Sequence, residues 1–207
     1  MQGKTHAVVG ASCALLLTST KSVDVLALGT TVAVIGSLLP DVDVKTSKIG
    51  KITTKLLFGL VVLIGAMIAL KKMGYSNLVP NVEMPTNLTN GMSGAACLIA
   101  ILIFGYYSPH RGATHSLLIC VIASFATWLL IPQAGIYMLI GYLSHLALDL
   151  LNYQGIKLFY PLPNEVSFDI CKSDGIINSV LFVLGAFLFV ALITVKLTQC
   201  NPITLSF

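Results

Sequence analysis

Apolar residues fall in long runs broken by short polar punctuation. The runs cover about Ala7 to Thr20, Val23 to Leu39, Ile52 to Leu70, Ser93 to Tyr107, Ser116 to Ile131, Gly135 to Leu151 and Ile176 to Val195. Runs of this length predict helices, each close to what a bilayer crossing needs. The punctuation is a tight turn at Lys21-Ser22, a charged loop from Pro40 to Lys51, a Pro/Asn-rich loop from Lys71 to Asn90 and a short link from Ser108 to Gly112. Pro132 then divides the fifth run from the sixth, and Asn152 to Gly175 is the longest polar stretch towards the C-terminus. The first run has 14 residues. As a helix it is roughly 21 Å long against a hydrocarbon core of about 30 Å, so it is expected to be partly re-entrant or enclosed by the other helices.

Composition turns this pattern into a class. Of 207 residues, 56% are hydrophobic and 10% charged, whereas soluble domains carry charge on about a quarter of their residues. That excludes most cytosolic enzymes, disordered chains and secreted disulfide scaffolds. The expected fold is all-α: one polytopic membrane domain over residues 1–207 with six or seven helices. The net charge of +4 comes from scattered Lys and Arg with no basic stretch interleaved with aromatics, so no nucleic-acid partner is expected. The five cysteines form no CxxC pair and read as small hydrophobes.

If every run spans, the loops alternate sides. The N-terminus and the loops at Pro40, Ser108 and Asn152 then share a face with Lys4, Lys45, Lys48, Lys51, Lys55, Arg111, Lys157 and Lys172. Only Lys21, Lys71, Lys72 and Lys196 lie opposite. The excess places the first face in the cytoplasm.

The scarce ionisable residues gather at that face. His6 opens the first run, Asp41 and Asp43 close the second, His110, Arg111 and His115 precede or open the fifth, and His145 and Asp149 lie near the end of the sixth. His145 and Asp149 are four apart, so on a helix they point the same way. An ionisable pair inside a membrane helix needs partners or water. Imidazole and carboxylate together suit a divalent metal, zinc foremost and manganese or iron less exclusively. The candidate ligands are His6, Asp41, His115, His145 and Asp149, for one ion or for two with a bridging carboxylate. Asp43 and His110 are candidates for general base or further ligand. Arg111, the chain's one arginine, has a planar fork suited to phosphate. Read singly, His6 could be a helix cap, Asp41 a helix stop, and His145 with Asp149 a bonded pair holding two helices together.

At these residues the chain resembles the LexA-binding, inner-membrane-associated hydrolase family, also described as membrane-bound metal-dependent hydrolases. The matching pieces are Thr5-His6 with Gly10, Leu39-Pro40-Asp41-Val42-Asp43, the run from His110 through His115 to Leu118, and Gly141 to Asp149, continuing to Gly155 and to Leu158-Phe159-Tyr160-Pro161. The His-Arg-Gly-x-Thr-His-Ser element followed by His-x-x-x-Asp is the specific part. The resemblance implies a metal-dependent hydrolase and, more remotely, a helical site similar to zinc-dependent phospholipase C and P1-type nucleases, which favours phosphoesters. Two positions depart from the family pattern. Val44 stands where members often have His, and Asn178 where many have Glu.

The expected function is therefore hydrolysis of a membrane lipid or lipid-like phosphoester at the cytoplasmic side of the inner membrane. The alternative is a non-catalytic adaptor that binds a protein partner, in keeping with the LexA-binding label and with Asn178. A transporter ranks behind both, because its polar path should reach both faces.

Overall fold

A computed structural model of the chain describes residues 1–43 and 87–200, with the isolated positions 59, 66, 70 and 73–75. The predicted third run, Ile52 to Leu70, falls largely outside the described residues. The other six are helices: α1 (Gly3–Leu17), α2 (Val23–Leu38), α3 (Leu88–Tyr107), α4 (Leu117–Leu130), α5 (Gly135–Leu150) and α6 (Ile176–Gln199). Three short 3-10 turns, Pro40–Asp43, Ala113–His115 and Pro132–Ala134, lead out of α2 and into α4 and α5.

Local chemistry sets the helix limits. Ser22, Asn87 and Ser116 cap α2, α3 and α4 by accepting hydrogen bonds from the N–H groups of Val25, Thr89 and Ile119. Pro40 has no N–H to extend the α2 ladder, and the chain tightens there into its 3-10 turn. Helix α1 begins at Gly3 rather than near Ala7, because Thr5 and His6 are buried within its first turns.

Helices α1, α2 and α5 pack against one another. Helix α4 covers α5, α3 lies outside α4, and α6 lies against α1. The short first helix is thus enclosed by neighbours rather than left to cross alone. The two outer helices are the described ones long and apolar enough to cross a membrane. Their outward faces carry Ile103, Phe104, Val183, Leu184, Phe187 and Val190, all exposed. An apolar surface of this kind suits lipid rather than water. The chain is an all-α membrane protein.

Small residues let the inner helices approach closely, as membrane interfaces require. A Cβ on Gly141 of α5 would lie 2.1 Å from the Ala33 carbonyl oxygen of α2. A Cβ on Gly10 of α1 would lie 2.6 Å from the Ser37 Cβ. At Gly141 the obstacle is backbone, which cannot yield without separating α2 from α5. Gly141→Ala is therefore expected to cost about 1–3 kcal/mol by overpacking, read as a lowered unfolding temperature in detergent. Gly185→Ala should cost less, since its Cβ would meet only the flexible ends of Val8 and Val9 at 3.1 and 3.2 Å.

Candidate metal centre

The close contact at Gly141 lies one turn before His145, on the stripe of α5 that continues from Met138 through Tyr142 and His145 to Asp149, all buried. On α1, His6, Gly10 and Ala14 form the matching buried stripe. Both stripes end in ionisable residues at the same end of the bundle. The turn after α2 brings Asp41 there and the turn before α4 brings His115. The four ends grouped from the sequence meet in space.

Four donor atoms face one another across this end. His115 Nε2 is 3.7 Å from Asp41 Oδ1 and 3.6 Å from Asp149 Oδ2. His145 Nε2 is 3.8 Å from Asp41 Oδ1 and 3.7 Å from Asp149 Oδ2. These separations exceed hydrogen bonds. Ligands set tetrahedrally at about 2.0–2.2 Å from zinc lie roughly 3.3–3.6 Å apart. The measured spacings are at or just beyond that, and the donors form overlapping threes, Asp41–His115–His145 and His6–His145–Asp149, each with its atoms within 4.8 Å of one another. His6 stacks on His145 with ring centroids 3.9 Å apart, and its Nε2 lies 3.3 Å from Asp149 Oδ1. Asp149 thus offers one oxygen to the four-donor group and the other to His6.

Partnerless polar atoms point the same way. Among the described residues, the buried side-chain nitrogens and oxygens without a hydrogen-bond partner are His6 Nδ1 and Nε2, His115 Nε2, His145 Nε2 and Arg111 Nε. All belong to this cluster. Each such atom costs about 1–3 kcal/mol when left dry. A cation removes that cost at one nitrogen of each imidazole, though not at the Arg111 Nε–H, which is a donor. The residues present fit a divalent ion.

A second layer of contacts fixes the rings. His145 Nδ1 lies 2.8 Å from the Ser37 carbonyl oxygen, which can only accept. Nδ1 therefore carries the proton and Nε2 turns its lone pair inward. His115 Nδ1 is 3.5 Å from Asp43 Oδ2. Asp43 also accepts from the Arg111 N–H and the Thr114 hydroxyl at 3.0 Å each, and its Oδ1 lies 2.8 Å from His110 Nδ1. Asn152 donates to Asp149 Oδ1 at 2.9 Å, and so does the Met1 amino group at 2.5 Å.

Electrostatics follow from this crowding. Burial alone would raise the Asp41 carboxyl, but the facing His145, His115 and His6 rings hold it well below the usual carboxylate range. Asp43 is lowered likewise: burial opposes, and His110 and His115 prevail. For His115, burial opposes the charged ring, yet Asp41 and Asp43 push it up to about 9.

The chain matches the family model of the YdjM inner membrane protein over residues 1–203. It belongs to the YdjM inner membrane protein family. Over 78 residues the chain is 37% identical to the uncharacterized protein YvsG of Bacillus subtilis (strain 168). The stretch covers 37% of this chain and 49% of YvsG, so the chain spans about half the length of that relative. No solved structure matches the chain.

The eight candidate residues divide into layers in this YdjM-family chain. Asp41, His115, His145 and Asp149 form the facing set, with His6 beside it. Asp43 sits behind, its carboxylate taken up by neighbours. His110 lies at the edge, its side chain 48% exposed. Arg111 adopts a positive φ of 60°, its guanidinium bonded to the Gln154 carbonyl and 3.5 Å from the Ser173 hydroxyl, with Asp149 Oδ2 at 3.7 Å. Sequence reading missed Ser37, Thr114, Asn152 and Ser173. Asn152, three residues past Asp149, and Thr114, inside the His-rich run, were there to be found. Ser37 acts through its carbonyl, which no side-chain pattern reveals. Asn178 is buried in α6 and accepts from the Gln2 N–H and the Thr5 hydroxyl, tying α6 to the turn that carries His6.

Proposed function

We propose that the chain is a membrane-embedded, metal-dependent hydrolase acting on a lipid-like phosphoester, with its site turned to the cytoplasm. The observation that carries this reading is the set of four facing donors, with buried imidazole nitrogens that have no other partner. Zinc suits the mixture of imidazole and carboxylate. Asp41, His115, His145 and Asp149 would hold it, with His6 completing the set or sharing a second ion through Asp149. A divalent ion there supplies Lewis acidity and acidifies water at neutral pH. The excess of Lys and Arg on the loops of this end supports the cytoplasmic orientation.

The remaining residues have separate work. His110 binds Asp43 through Nδ1, which leaves its other ring nitrogen on the half-exposed side to take or give a proton. Asp43 orients His110 and His115 together. Arg111, mostly buried beside Asp149, has the fork to meet phosphoryl oxygens of a substrate there.

Headgroup release from phospholipid vesicles by metal-loaded protein tests the reading. His110→Ala should lower turnover about 10²–10⁴-fold, the usual contribution of a general acid or base, while leaving metal content unchanged. Absence of release from wild type, or equal turnover by His110→Ala, would contradict it. A protein partner retained equally by wild type and His145→Ala, without turnover, would favour the adaptor instead.

A further inference from the structure

Beside the metal centre lies a groove of about 310 Å³ that none of the donor side chains lines. Phe104 and Tyr107 from the last turn of α3 form one wall, Pro109 and Gly112 the floor, and Lys157 and Tyr160 from the segment after α5 the other wall. The floor is the turn that also carries His110 and Arg111 and runs on into Thr114 and His115. The groove and the metal centre therefore lie on one piece of backbone.

That backbone has little freedom. A Cβ on Gly112 would lie 2.7 Å from the Pro109 carbonyl oxygen, so the turn closes only around glycine. The Leu117 N–H donates to the Leu158 carbonyl at 3.0 Å, which ties the Lys157 segment to the start of α4.

The lining is selective in three respects. Helix α3 is long and apolar enough to cross a membrane and ends in the exposed pair Tyr106 and Tyr107. Tyrosines at the end of a spanning helix mark the depth of the lipid headgroups. Lys157 gives the groove a cation, no carboxylate is among its described lining residues, and no described acid forms an ion pair with that lysine. The volume is at the small end of the roughly 300–1,000 Å³ of ligand pockets. It fits a headgroup and the first carbons below it, with the chains continuing over the exposed Ile103 and Phe104. A free inorganic anion would leave the aromatic walls unused.

We propose that the groove binds an anionic phospholipid of the surrounding bilayer, its phosphate at Lys157, and presents it to the metal centre; this last step rests on the hydrolase reading above.

Native mass spectrometry of delipidated, detergent-purified protein with phosphatidylglycerol or phosphatidylcholine of equal chain length tests it. Wild type should prefer phosphatidylglycerol about five-fold, the usual effect of one lysine on an anionic lipid. Lys157→Glu should erase that preference with metal content unchanged, whereas Lys172→Glu, on the same segment but outside the groove, should keep it. Tyr107→Ala, which alters an exposed side chain, should weaken both lipids alike. No preference in wild type, a preference that survives Lys157→Glu, or displacement of the lipid by excess inorganic phosphate would overturn the proposal. If the hydrolase reading alone fails, the lipid binds with this preference and is not cleaved. If the groove fails, cleavage is indifferent to Lys157→Glu.

Discussion

Metal bound to the detergent-purified chain falls from about one or two ions to none when His145 and Asp149 are both replaced by alanine. The two residues supply half of the four facing donors, on one helix and one turn apart. Asp149 reaches His115, His145 and His6 at once, whereas Asp41 meets His115 and His145 through one oxygen. The double variant takes the carboxylate away from the buried Met1 amino group and from Arg111 as well, so folding is checked on the same sample. A single Asp149→Ala would leave His145 facing Asp41, whereas the double variant removes a base and an acid from one stripe. The helices should still assemble, because α5 meets α2 closely at Gly141 and Met138, even with the bond from His145 to the Ser37 carbonyl lost. Metal analysis and circular dichroism of the same sample check both halves. Unchanged metal in a folded double variant would show that the ion binds elsewhere.

Asp43→Asn is expected to weaken metal binding about 10–100-fold, the usual effect of losing a partner behind a ligating histidine. Asp43 contributes no atom to the facing set, so its effect runs through orientation. Its carboxylate accepts from the Arg111 N–H and the Thr114 hydroxyl and meets the ring nitrogens of His110 and His115. An amide in the same place carries no charge and turns an NH2 group towards part of that set. One imidazole then loses its fixed tautomer. Competition with a coloured zinc chelator measures the change, and the exposed Glu165→Gln serves as the control. Affinity unaltered in Asp43→Asn would mean that His115 is oriented by the Thr114 hydroxyl alone, which lies 3.2 Å from its Nδ1.

The places of the site residues were legible because ionisable side chains are few and each stands at the end of an apolar run. Alternation of the loops put those ends on one side, and the four-residue spacing of His145 and Asp149 gave their common direction. What stayed hidden depended on contacts between runs. Asp41 reads as a ligand and Asp43 as base or further ligand, but their spacing does not show that the 3-10 turn directs one to the donors and the other behind His115. The apolar run placed the start of α1 too late, since Gly3 to His6 are polar or small, yet Thr5 and His6 are buried, His6 against His145 of α5 and Thr5 on Asn178 of α6. Likewise α3 begins five residues earlier than its apolar run, at the Asn87 cap. The segment after α5 read only as polar, although it supplies Asn152 and Ser173 to the network around Asp149.

The most direct test of the central claim is the metal content of the folded wild-type chain, purified in detergent from cells grown with zinc and manganese. Stoichiometric metal, at about one ion or more per chain and zinc before manganese, is the predicted result. A helical, correctly folded chain that carries no stoichiometric metal under those conditions would contradict the account.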